Sequence, residues 1–122
     1  MIGQDQLLDR LFRAIEDEDV DAVAELYSPE VEVWHNSSGR TLDRAHSVTL
    51  LRAFLGRVSD VRYEVLERRH WEGGAVQRHL LHMRVNGADH SIDACITFTF
   101  ADGRIARVFE YSDGRALTPL GW

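Results

Sequence analysis

Three residue pairs, Gly73-Gly74, Asn86-Gly87 and Asp102-Gly103, cut the second half of this chain into strand-length pieces. Tight hairpin turns need positive φ at their central residues, and Gly, Asn and Asp supply it at least cost. The runs 75–85, 88–101 and 104–111 between them are rich in β-branched and aromatic residues. Val61, Tyr63 and Val65 alternate ahead of the first pair. The pattern predicts a four-stranded antiparallel meander.

The first half follows a different period. Leu7, Leu8, Leu11, Phe12 and Ile15 recur at helical spacing, so one stripe of an amphipathic helix is buried. After the acidic run 16–19, Asp19 is placed to cap a short helix carrying Val20, Val23, Ala24 and Tyr27, which Pro29 should end. Residues 31–36 alternate as a strand, and Ser37-Ser38-Gly39 reads as a loop. Asp43 then caps a third helix with the stripe Val48, Leu51, Phe54, Leu55 and Val58. Helix, helix, strand, helix and meander exclude a parallel βαβ arrangement. The expectation is an α+β fold: N-terminal helices covering a strongly curved, cone-shaped antiparallel sheet. The tail 112–122, with Gly114, Pro119 and Gly121, is expected to be irregular, with Trp122 over an apolar patch.

Length and charge narrow the function classes. A chain of 122 residues reads as one domain, 1–122, with one core. A formal charge of -6 argues against nucleic acid, because phosphate binding needs clustered Lys and Arg. The start of the chain does not read as a signal peptide, and no apolar run is long enough to span a membrane. Cys95 is the single cysteine, so no internal disulfide is available. A cytoplasmic protein is the resulting expectation.

Two segments carry a family likeness. They are Leu26-Tyr27-Ser28-Pro29-Glu30-Val31, running into a strand with Trp34, and Phe100-Ala101-Asp102-Gly103-Arg104-Ile105, leading to Val108-Phe109-Glu110-Tyr111-Ser112-Asp113. With the element order, they resemble the nuclear-transport-factor-2-like superfamily, and within it the SnoaL-like group of ketosteroid isomerase and polyketide cyclase relatives. The resemblance implies a cystatin-like α+β barrel with a cone-shaped pocket for a hydrophobic ligand, and homodimers formed through the sheet. The superfamily hosts several chemistries and also members without catalysis, so the likeness speaks to fold more than to reaction.

A closer likeness is to limonene-epoxide hydrolases. Trp34-His35-Asn36 is similar to their aromatic-x-Asn, which implies that Asn36 holds water. Arg78 is similar to the Arg of their Arg-x-Asp, and Glu110 to their last-strand carboxylate. Leu80 stands where Arg-x-Asp has its acid. Against the ketosteroid isomerases, the base falls near His35 or Asn36, and Phe12 replaces a hydrogen-bonding Tyr.

Two-residue turns at all three pairs would fix the register. Arg78 then faces Cys95, Leu80 faces Asp93, and Cys95 faces Glu110. The row Arg78–Cys95–Glu110 shares a side with Asp93, Leu80 and His82. Asp93 could then supply the carboxylate that Leu80 lacks, and Arg78 would tune both acids. The alternative is a structural ion pair across the sheet, contributing little. The opposite face of the fourth strand, from Ile92 to Phe100 with Ile105 and Phe109, is too apolar for water. It must meet either the helices or a second copy, and the first choice would leave the Arg78 row outside.

The six histidines do not make a metal site; His79 and His82, three apart on a strand, point to opposite faces. His35 and His82 are the better proton carriers, with His35 directed away from Trp34 and Asn36. The leading expectation is a cofactor-independent acid–base enzyme acting on a small apolar or polycyclic molecule, of isomerase, cyclase, dehydratase or epoxide-hydrolase type. Glu110, Asp93, Arg78 and Asn36 would be catalytic, with Trp34, Tyr63, Leu80, His82 and His35 lining the pocket. The alternative is a non-catalytic ligand-binding or dimerisation module.

Overall fold

The first helix, α1 (Gln4–Glu16), buries Leu7, Leu8, Leu11, Phe12 and Ile15, the stripe its spacing predicts. The computed structural model describes residues 3–113. Glu18 takes a left-handed φ of 58°, turning the chain so that Asp19 can accept the Ala22 N–H at 3.1 Å and start α2 (Val20–Leu26).

Pro29 does not end that helix. The helix stops at Leu26, and β1 (Tyr27–His35) begins at once, with Pro29 inside it. The proline is tolerated because the pairing of β1 skips from Tyr27 to Glu32, so Pro29 lies in an irregular stretch of the ladder. The loop at 37–39 is real, with Gly39 at φ 69°, but it leads into a strand of only three residues, β2 (Arg40–Leu42), too short to show alternation. Asp43 caps α3 (Arg44–Leu55) by accepting the His46 N–H at 2.9 Å.

Four long strands follow: β3 (Ser59–Trp71), β4 (Gly74–Val85), β5 (Ala88–Ala101) and β6 (Arg104–Ser112). Asn86-Gly87 (φ 52° and 81°) and Asp102-Gly103 (53° and 74°) form the expected primed turns. The first hairpin turns one residue early, at Glu72-Gly73, because Trp71 already pairs with Gly74. Tail residues 114–122, Trp122 among them, lie outside the described residues.

The strands form one open sheet in the order β2-β1-β6-β5-β4-β3. The α+β arrangement with helices packed on the sheet holds. The sheet is mixed rather than wholly antiparallel, however, because β1 runs parallel to β6.

Register decides what faces the helices. Between β4 and β5 it is as expected: Arg78 faces Cys95 and Leu80 faces Asp93. Between β5 and β6 it is not. Phe100 pairs with Ile105 but Thr99 pairs with Arg107, leaving Ala106 as an extra residue. This bulge shifts everything beyond it by one, so Cys95 faces Tyr111 and Ile96 faces Glu110. Because side chains alternate with period two, Phe109 and Tyr111 turn to the outer face and Glu110 to the helix side. The apolar face of β5 packs under the helices. Ile92, Ile96 and Phe98 join Leu8, Leu11, Phe12, Val31, Val33, Ile105 and Val108 in one core. Each such side chain contributes roughly 1.5–3 kcal/mol on burial.

Candidate active site

Glu110 is the charged residue that this register carries inward. Across the sheet it lies in a row with Gln77 on β4, Ile96 on β5 and His35 on β1. The neighbouring row holds His79, Ala94 and Ser112. Tyr63 reaches in from β3, its ring 5.0 Å from that of His79, and Phe12 of α1 meets Tyr63 at a tilt (4.6 Å) and His79 edge-on (5.4 Å).

Burial raises the pKa of the Glu110 carboxyl, and the positive form of His35 opposes that rise. His35 Nε2 is 3.5 Å from Glu110 Oε2. The other ring nitrogen of His35, Nδ1, is buried without a partner among the described residues. An orphaned lone pair costs less than an orphaned N–H, so the proton belongs on Nε2, facing the carboxylate. About a third of the Glu110 side chain (31%) and 23% of His35 remain accessible, so the pair is recessed but reachable by water. Burial, then the negative charge of Glu110, pushes up the phenol pKa of both Tyr27 and Tyr63; Tyr27 also bonds Ser47. Both stay protonated at neutral pH and can donate. Burial depresses His79 to about 4, against a pull from Asp93, so His79 is neutral at pH 7.

The residues expected from sequence separate into two groups. Glu110, His35 and Tyr63 lie on the helix side of the sheet, where His35 and Glu110 touch. Arg78, Asp93, Leu80 and His82 stand together on the outer face, as their shared parity requires. Arg78 Nη2 donates to Asp93 Oδ2 at 3.3 Å with both side chains more than half exposed (57% and 54%), an ion pair of small worth. They line a shallow hollow of about 230 Å³ with Cys95 and Tyr111, away from Glu110. His82 bridges Ser91 Oγ (2.7 Å) and Glu64 Oε1 (2.8 Å) in a polar ladder over the same face.

Trp34 is also outside, packed on Phe109 and Tyr111 with ring centroids 6.2 and 5.2 Å away. His35 does point away from it. Asn36 is engaged with the backbone of β6. Its Nδ2 donates to the Ser112 carbonyl at 3.0 Å, and its Oδ1 accepts the Ser112 N–H at 3.0 Å, so both amide ends are used to pin β6. Another open cleft, about 570 Å³, lies beside β1, β2 and the start of α3, lined by Glu30, Glu32, Asp43 and His46.

Sequence reasoning missed Gln77, His79 and Tyr27. The signal was present: Gln77 and His79 share the alternation of Ala75, Leu81 and Met83, the apolar side of β4. Polar residues on an apolar stripe mark a polar group inside the core. Among the described residues no three His, Cys, Asp or Glu side chains are gathered to hold a metal ion. No described helix is long and apolar enough to cross a membrane.

Solved structures share this fold. In structure the chain is similar to an LEH-like epoxide hydrolase of Mycobacterium tuberculosis (TM-score 0.77, 18% identity, 93% of this chain and 84% of that one). It is also similar to IdmH of Streptomyces antibioticus, for which polyketide cyclase activity is proposed (0.84, 16%, 98% and 100%). A Catenulispora acidiphila protein with a ketosteroid isomerase-like fold aligns at 0.77 with 9% identity over 86% and 83%. At these identities the likeness is one of fold. No curated protein matches the sequence. The sequence profile of the SnoaL-like domain matches residues 8–108, and with most of its length inside that match the chain belongs to the SnoaL-like domain family.

Proposed function

We propose that this protein binds a small, largely apolar molecule against the inner face of its sheet and performs acid–base chemistry on it. Glu110 is the proton-transferring group. The observation that carries this reading is a carboxylate recessed among apolar side chains, its pKa raised by burial, with a histidine 3.5 Å away. A raised carboxyl pKa brings a general base closer to the pH at which it works. In this reading Glu110 accepts a proton from the bound molecule and returns it at another position. His35 steadies the carboxylate through Nε2–H, and the Tyr63 and His79 side chains offer hydrogens to the oxygen that gains charge. The reaction class is isomerase, cyclase, dehydratase or epoxide-opening, with no cofactor required.

The related proteins named above include an epoxide hydrolase and one assigned to polyketide cyclisation, which supports testing cyclic ketones and terpenoid epoxides first. Arg78 and Asp93 have no part in this chemistry, being across the sheet from Glu110. The setting is cytoplasmic in this reading, and the protein is a homodimer through its outer sheet face, where Trp34, Phe109 and Tyr111 gather.

A second reading, a ligand-binding or dimerisation module without turnover, is favoured by Phe12, which fills much of the space beside Tyr63 and His79. One experiment separates the two. Steroid, terpenoid-epoxide and aromatic polyketide probes are screened by thermal shift, and binders are then assayed for conversion by wild type and Glu110→Gln. Conversion lost in the variant with binding kept supports the enzyme; binding without conversion in either protein supports the module.

A further inference from the structure

We infer that Arg68, outside the pocket, is a positioning residue that fixes His79 as a neutral imidazole with its proton on Nε2. This rests on the reading of the inner face as the working site.

A bulge in the middle of β3 sets the position of Arg68. Val65 pairs with His79 but Glu67 pairs with Arg78, so Leu66 is an extra residue in β3 and parity changes after it. Arg68 is thereby placed opposite Gln77 on the helix side instead of opposite Val76 on the outer side. There it is largely buried, with 12% of its side chain exposed. Its Nη1 donates to Asp5 Oδ1 at 2.7 Å and to Asp9 Oδ1 at 2.8 Å, both on α1. Its Nε donates to Gln77 Oε1 at 2.8 Å.

An arginine can only donate, so the Gln77 atom it meets must be the carbonyl oxygen. The amide nitrogen then faces the other way and lies 2.9 Å from His79 Nδ1. That nitrogen is itself a donor, so Nδ1 must accept and carry no hydrogen. The ring hydrogen of neutral His79 is left on Nε2. A chain of one-way donors thus runs from the α1 carboxylates through Arg68 and Gln77 to the imidazole. It has a chemical consequence: His79 cannot take a second proton at Nδ1 without breaking the Gln77 bond, so it serves as a hydrogen-bond donor and not as a base. Of the two, His79 and Glu110, the base role falls to Glu110. The charged and titratable groups around His79 are Arg68 and Tyr63 on β3 and Asp93 on β5. Phe12, from α1, adds no charge.

The test uses the full chain labelled with ¹⁵N-histidine and long-range ¹H–¹⁵N correlation spectra between about pH 3 and pH 8, which spans the His79 titration. Wild type is expected to show His79 with a bare Nδ1 and a protonated Nε2 at neutral pH. Arg68→Met should give a mixed tautomer and move the His79 titration upward by about one pH unit, since the positive charge and the oriented amide are both lost. Arg68→Lys, which still donates to Gln77, should restore the wild-type tautomer. Gln77→Glu, which presents an acceptor, should move the proton to Nδ1, and it serves if Arg68→Met does not fold. A wild-type proton on Nδ1, or an Arg68→Met spectrum identical to wild type, overturns the proposal. Glu110→Gln should leave the His79 tautomer unchanged, so a failure of the Glu110 reading appears in turnover and a failure of this one in the spectra.

Discussion

A carboxylate kept inside an apolar sheet face costs stability, and at Glu110 that cost has a sign that can be measured. The folded protein holds the Glu110 proton to higher pH than the unfolded chain does. Folding stability attributable to this group therefore falls as pH rises from the ordinary carboxyl range through the raised value. Glu110→Gln removes the ionisation. The variant is expected to be more stable than wild type at pH 8, on the order of 1 kcal/mol, with the gap closing toward pH 4. Thermal melts across that range check it, and a variant less stable than wild type at pH 8 refutes it. His79 works in the opposite direction. Its folded pKa of about 4 lies below the ordinary 6.5, so the folded state binds fewer protons between those values. Stability is fully present above 6.5 and is lost as pH falls toward 4, by on the order of 3 kcal/mol in all. His79→Gln should flatten that part of the acid limb in urea titrations. An unaltered slope would place the acid sensitivity elsewhere.

Elements reach the site through their ends and their irregularities. Glu16, in the last turn of α1, extends Oε2 to accept the Tyr63 backbone N–H at 2.9 Å, tying the helix end to the edge strand that carries a pocket tyrosine. Glu16→Ala leaves that N–H without its charged acceptor and should cost about 1–2 kcal/mol, with faster amide exchange at Tyr63. Protection unchanged at Tyr63 would show that water substitutes fully. These irregularities also explain how far the sequence could be read. The α1 stripe, the caps at Asp19 and Asp43, the turns at Asn86-Gly87 and Asp102-Gly103 and the β4–β5 register were legible, because each depends on a few adjacent residues. The inward turn of Glu110 was not. It depends on Ala106 being skipped by the ladder, and nothing about an alanine between Ile105 and Arg107 distinguishes it from a paired one. The same holds for Leu66 and Arg68. The skipped Ala106 separated Glu110 from Arg78 and Asp93, whose own register was as expected. Those two lie outside because the apolar face of β5 packs on the helices, the choice the sequence left open, and the same choice puts Gln77 and His79 inside with Ala75 and Met83. The parallel β1–β6 pair was hidden for another reason: its two strands lie far apart in sequence, and no local signal records which edges meet.

At the scale of the whole molecule, the helices occupy one side of the sheet and leave the other to solvent or to a partner. The outer side is not uniformly polar. Trp34, Phe109 and Tyr111 form an aromatic patch on β1 and β6, with Tyr111 half exposed at 51%. A shallow hollow of about 230 Å³ adjoins it, lined by Cys95, Arg78, Asp93 and Tyr111 itself. A two-fold dimer would let each copy's Tyr111 enter the other's hollow, since an isologous contact pairs each patch with itself. Two copies each carrying a formal charge of -6 repel, so the aromatic contact must outweigh that repulsion. Adding salt should then strengthen association, because it screens the repulsion and leaves apolar burial in place. Tyr111→Lys should put a charge at the centre of the contact and weaken association by about a hundredfold, the scale of one lost aromatic anchor. Sedimentation equilibrium in low and high salt measures both effects. Glu110 lies on the opposite face, so binding of small molecules to the inner site should survive in the monomeric variant. A wild-type chain that stays monomeric at high concentration and high salt would leave the aromatic patch as a surface feature of a single copy.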